Sequence, residues 1–164
     1  MDWVTIAWLI FRASYSWVFL NAAWQCGKNR AGVDWTIAES EIIFGRFAPV
    51  LGPIGIVVMA VGGLSILFGI FAEIGGVLLA SFLVPGTVIH LRKRSEARGL
   101  ADALRSELGS SHLESLDKLT VLAVLGHYSS AMKNVSLIGP AVYFAVMGCG
   151  PMGFYRWWGL AGGG

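Results

Sequence analysis

The sequence predicts an all-α integral membrane protein, a four-helix bundle with an amphipathic cytoplasmic helical insertion, built as one transmembrane domain over residues 1–164. Two observations carry this reading. Residues 48–71 and 74–90 are two apolar runs placed back to back, with Glu73 the one charge between them. A helix needs about 20 residues to cross the roughly 30 Å hydrocarbon core, and each run is close to that length. Charged residues make up only 13% of the chain, against about 25% in ordinary soluble domains.

Two further apolar stretches complete four spans, at about 3–26, 48–71, 74–91 and 134–154, with a polar insertion at 92–118. The first span is rich in aromatic rings, and Trp3 and Trp24 fall where interfacial belts belong. It is read as a span rather than a cleaved signal, because it lacks a basic leader and Arg12 interrupts its apolar centre. The loop 27–47 mixes glycine, charge and the apolar Trp35-Thr36-Ile37, and is expected to hold a short helix at the surface.

In the second span Gly55, Gly62 and Gly69 recur every seven residues, which keeps them on nearly one helix face. Such a stripe lets another helix approach closely. Pro85 is expected to kink the third span. Within the insertion, Ala97, Leu100, Ala101, Leu104 and Leu108 share one face, which predicts an amphipathic helix over 94–108. Lying on the inner membrane surface or packing on the protein both satisfy that pattern. Gly109-Ser110-Ser111 ends it, and Ser111 with Glu114 has capping-box spacing for a following helix. The apolar run Leu119–Leu125 is too short to span and leads, through a bend at Gly126-His127-Tyr128, into span four. Tyr155-Arg156-Trp157-Trp158 reads as an interfacial anchor and Gly162–Gly164 as a disordered tail.

Charge placement orients the bundle. Ten of the twelve Lys and Arg residues lie in the two loops that share one side. Positive loops stay cytoplasmic, so both termini are expected on the opposite, periplasmic side. The same loops carry Glu39, Glu41, Glu96, Asp102 and Glu107, and the formal net charge is +2, which gives no support for nucleic-acid binding. Cys26 and Cys149 fall at opposite membrane faces, beyond disulfide reach.

Few residues invite chemistry. Arg12 lies ~14 Å into span one by helical rise. An ionisable group at that depth faces the bundle interior, either as one half of an ion pair or holding a polar ligand. Glu73, in the outer turn of the same membrane half, is its natural ion-pair partner. At the inner face His90, His127, Lys133 and Asn134 form a polar cluster, read either as a snorkelling collar or as the closure of a site. No metal-ligand spacing, dithiol or phosphate loop occurs, so no metal and no intrinsic cofactor are expected.

Arg12 with the small and aromatic residues after it, Gly62-Gly63-Leu64 through Gly69, His90, and Lys133-Asn134 leading to Gly148-Cys149-Gly150-Pro151 occur in an order that resembles the DoxX family of small four-helix bacterial membrane proteins. The chain departs from the family at Met59, where a glutamate is common, and at Glu73, where a basic residue is common. The resemblance implies a place in the bacterial inner membrane and an association with membrane redox chemistry. One branch of the family resembles the membrane subunit of thiosulfate:quinone oxidoreductase. The implied role is an accessory or anchor subunit of a larger electron-transfer complex, with bound quinone or lipid and other membrane subunits as partners. The alternatives are a quinone-reducing subunit acting on a small sulfur compound, and a small-solute transporter, which Arg12 and Pro85 favour.

Overall fold

The structure, a computed structural model, describes residues 2–150. Every regular element among them is helical: α1 (Trp3–Gly27), α2 (Arg30–Phe44), a short 3-10 turn (Gly45–Phe47), α3 (Ala48–Phe68), α4 (Ala72–Arg105) and α5 (Ser110–Met147). Among the described residues, three helical segments are long and apolar enough to cross a membrane: Trp3–Gly27, the run Arg30–Phe68 that contains α3, and Ala72–Arg105. The expected fourth span, 134–154, begins inside α5 and ends outside the described residues. The Gly150-Pro151 turn runs past the described residues, and the Tyr155–Trp158 anchor and the glycine tail lie outside them.

Local chemistry sets the boundaries. The Asp2 side chain accepts the Thr5 N–H at 2.7 Å and caps α1. Hydrogen bonding from the Thr5 side chain, and then from its backbone N–H, draws the Asp2 carboxyl below its ordinary pKa. Asn29 caps α2 through the Gly32 N–H. Gly69 ends α3 in the left-handed conformation at φ 69°, and the Ile70 N–H returns to the Ser65 carbonyl, the Schellman pattern of a glycine-terminated helix.

Alpha1 packs on α3, α3 on α4 and α4 on α5. Aromatic rings join α1 to α5: Phe11 stacks on Phe144 with ring centres 5.2 Å apart, and the Tyr15 hydroxyl donates to the Leu137 carbonyl. The core between them holds Phe19, Ile66, Leu79, Leu83 and Phe144. Alpha2 packs on α3 and reaches α4 beside His90, at Arg92 and Lys93, so the short helix expected in the first loop is present.

Three expectations are revised by α4 and α5. With 34 and 38 residues they run ~51 and ~57 Å, well past the thickness of a hydrocarbon core. Residues 94–105 of the expected 94–108 helix are not a separate helix but the continuation of α4 through Pro85 and His90, and 106–108 form the turn after it. The continuation packs along α5 by burying Ala101, and its Arg105 pairs with Asp117 at 2.5 Å. Alpha5 likewise passes Gly126-His127-Tyr128 as unbroken helix. Its N-cap is Gly109 with no side-chain cap, and Glu114 pairs with Lys118, so the Ser111–Glu114 capping box does not form. Alpha5 lies beside this segment and covers Ala101, while Leu100, Leu104 and Leu108 of the apolar stripe stay exposed.

Candidate functional site

The two polar features predicted from sequence lie at opposite ends of the helices. At one end Arg12 is buried in α1. Its Nε donates to the Ile66 carbonyl at 2.9 Å and its Nη2 donates to the Leu67 carbonyl at 2.7 Å. Both acceptors belong to the last turn of α3, where helical donors run out and the macrodipole is negative, although the Ile66 carbonyl also takes the Gly69 N–H. A guanidinium there supplies both the donors and the charge. Gly69 completes the fit, since a Cβ on it would lie 2.7 Å from Arg12 Nη2.

Glu73 stands in the first turn of α4, with its carboxylate against Gly148 at the end of α5. The ion pairs among the described residues are Arg30–Asp34, Lys93–Glu39, Lys93–Glu96, Arg105–Asp117 and Lys118–Glu114, and an Arg12–Glu73 pair is not one of them. The Arg12 contacts to α3 are those of a helix cap.

The glycine stripe divides in two. Gly55 meets the Phe82 ring and Gly62 the Leu79 side chain, both on α4, as close helix packing requires. Gly69 is the α3 cap instead. The tightest approach lies elsewhere: Gly76 of α4 rests on the backbone of Ala141 and Ala145 in α5.

At the other end the predicted inner-face cluster surrounds a cavity of about 490 Å³. His90, Lys133 and Asn134 line it, while His127 stands behind His90, their Nδ1 atoms 3.4 Å apart in a hydrogen bond. Most of the wall is apolar, from Leu51, Val58 and Met59 on α3 and from Leu78, Phe82 and Pro85 on α4. Pro85 has no N–H to give the Ser81 carbonyl, and both residues line the cavity. Three aromatic rings, Trp35, Phe44 and Phe82, contribute flat surface.

Alpha2 supplies a residue the sequence reading passed over. Glu39 enters the cavity wall beside Thr36 and Ser40. Its Oε1 is 3.4 Å from Lys93 Nζ, with both side chains largely shielded from solvent. Its Oε2 is buried and meets no hydrogen-bond donor among the described residues. Thr36, Glu39 and Ser40 sit at i, i+3 and i+4, so a polar stripe on one face of the loop helix was the available signal. The Glu39 and Lys133 charges both act on the His90 ring.

This arrangement can seat a molecule with an apolar body and a head group that takes and gives hydrogen bonds. The described residues contain no group of three His, Cys, Asp or Glu side chains placed to hold a metal ion. Cys26 lines this cavity, and Cys149 lies by Gly69 at the Arg12 end; both are free thiols. No family model, curated protein or solved structure matches the chain.

Proposed function

We propose that this chain is a four-span subunit of a membrane redox assembly whose cavity takes a quinone from the bilayer. The four spans are α1, α3, α4 and the second half of α5, with the far end of the α4–α5 hairpin projecting into the cytoplasm and both termini on the periplasmic side. The observation that carries the reading is the cavity itself. Apolar walls and the flat faces of Trp35, Phe44 and Phe82 suit a ring with a hydrocarbon tail, and Lys133 and Asn134 are donors for its carbonyl oxygens. The residues that led to the DoxX resemblance support the same redox setting, and electrons would come from a partner subunit. The α4–α5 hairpin, which overruns the hydrocarbon core, offers that partner a contact outside the lipid.

The test is gentle extraction from native membranes, followed by mass spectrometry of co-migrating proteins and of the organic extract. The expected result is a stoichiometric redox partner and a quinone that is lost from a Met59→Trp variant, in which the indole fills the cavity. A lone protein with no quinone in its extract would sink the proposal.

A further inference from the structure

A second cavity, of about 360 Å³, lies between α3 and α4 toward the turn that joins them, and Leu78 lines both it and the cavity at His90. On α3 the lining residues Leu51, Ile54, Val58, Val61, Ser65 and Phe68 follow one another in steps of three and four, so they form one face of the helix. Ile74, Leu78, Ser81, Pro85 and Ile89 do the same on α4. Two facing stripes that run through both cavities make one furrow. Behind it the helices close up, with Gly62 against Leu79 and Gly75. Along its outer half Val61, Leu64 and Ile74 are exposed, so the furrow opens on the surrounding lipid.

The two ends differ in chemistry. His90, Lys133 and Asn134 gather at the inner end. The outer cavity has one polar side chain in its lining, Ser65, whose hydroxyl is engaged by the Ile70 and Phe71 carbonyls at 2.6 and 2.7 Å. That end is built for hydrocarbon. From Pro85 to Ile74 the furrow runs ~17 Å by helical rise.

Resting on the quinone reading above, we infer that the tail of the bound quinone lies in this furrow, which makes the ligand a long-chain isoprenoid quinone rather than a short-tailed one. A head group held by Lys133 and Asn134 places the root of the tail at the inner end, and the apolar stripes carry it toward the outer turn. Phospholipid chains compete for the same space. The quinone's own tail has the advantage, because it is tethered to a bound head group and enters by an intramolecular step. Leaving lipid for protein brings no hydrophobic gain, so the tail contributes through packing contacts alone and the preference is modest.

The test reconstitutes the full chain in phosphatidylcholine vesicles that hold equal mole fractions of two benzoquinones with one head group, their tails two and five isoprene units long. Native mass spectrometry of the extracted protein counts which quinone is retained. Both reside in the lipid, so the ratio reads contacts between tail and protein. The long-tailed quinone is expected to be retained about fivefold over the short one. In the Val61→Trp chain, whose indole fills the outer cavity, the two should be retained equally. A ratio near one on the unaltered protein, a comparison that needs no variant to fold, overturns the tail site and leaves the quinone site standing, with lipid chains in the furrow. A preference that survives Val61→Trp overturns it too, since the gain then arises elsewhere. If neither quinone is retained, the quinone reading itself falls, and the inference with it.

Discussion

Arg12 of α1 reaches 54 residues along the chain to donate its Nε hydrogen to the carbonyl of Ile66. With the Nη2 bond to Leu67, this closes the last turn of α3 from within the protein. The arrangement answers a requirement of membrane folding: where lipid surrounds a helix, its terminal carbonyls must be satisfied from within the protein.

Removing that guanidinium should therefore destabilise the fold. Arg12→Met is expected to cost about 1–3 kcal/mol, because the Leu67 carbonyl loses its charged donor and the Ile66 carbonyl keeps only the Gly69 N–H. Arg12→Lys should recover only part of it, since an ammonium lacks the planar fork that reaches two adjacent oxygens. Reversible unfolding in mixed detergent micelles measures both, and an Arg12→Met chain as stable as the parent would show that α3 is capped by other means.

Helix approach gives a paired comparison at glycine. A methyl group at Gly76 collides with the backbone of Ala141 and Ala145, so Gly76→Ala should push α4 and α5 apart at a cost of about 1–3 kcal/mol. Gly99, also helical, has no atom within 4 Å of a Cβ. Gly99→Ala is expected to gain about 0.5–1 kcal/mol from helix propensity alone. Similar effects at the two positions, in the same unfolding assay, would contradict the packing described for α4 and α5.

The Lys93–Glu39 pair joins α4 to α2 beside the cavity. Lys93→Met leaves the partly shielded carboxylate uncompensated and is expected to cost about 1–3 kcal/mol. Adding Glu39→Gln should restore part of that loss, since the second change removes the stranded charge. A double-mutant cycle reads the coupling directly, and strict additivity of the two substitutions would show that the pair contributes nothing.

Topology is open to chemical labelling. In a chain with Cys26→Ser and Cys149→Ser, a cysteine placed at Ser106 lies at the turn between α4 and α5. An impermeant maleimide should reach it only from the cytoplasmic side of sealed vesicles. Labelling from the periplasmic side would invert the proposed orientation and move the cavity to the opposite membrane face.

Much of the architecture was legible in the chain because lipid imposes simple rules. An apolar run of near-spanning length must be helical there, since no other single segment satisfies its own backbone. Alpha1 and α3 follow directly, as does the start of α4. The inner-face cluster was legible in part: His90, Lys133 and Asn134 do meet around one cavity, because polar residues near helix ends collect at one level of the membrane. What stayed hidden depended on pairing between distant segments. The stripe at 94–108 has an apolar face that suits a membrane surface and a partner helix equally well, and only the folded structure shows that α5 covers Ala101 and leaves Leu100, Leu104 and Leu108 exposed.

By itself, then, the sequence determined that the chain is helical, where its apolar helices lie, and which polar groups share a level. The tertiary structure decided what those groups touch. It gave Arg12 to the carbonyls of α3 rather than to the Glu73 carboxylate, and it folded α2 over so that Glu39 completed the cavity. The physical reason is range. Hydrophobic periodicity and helix length act along the chain and can be read from neighbouring residues. Hydrogen bonds and ion pairs act over about 3–4 Å, so their partners are settled only when helices far apart in sequence come to rest side by side.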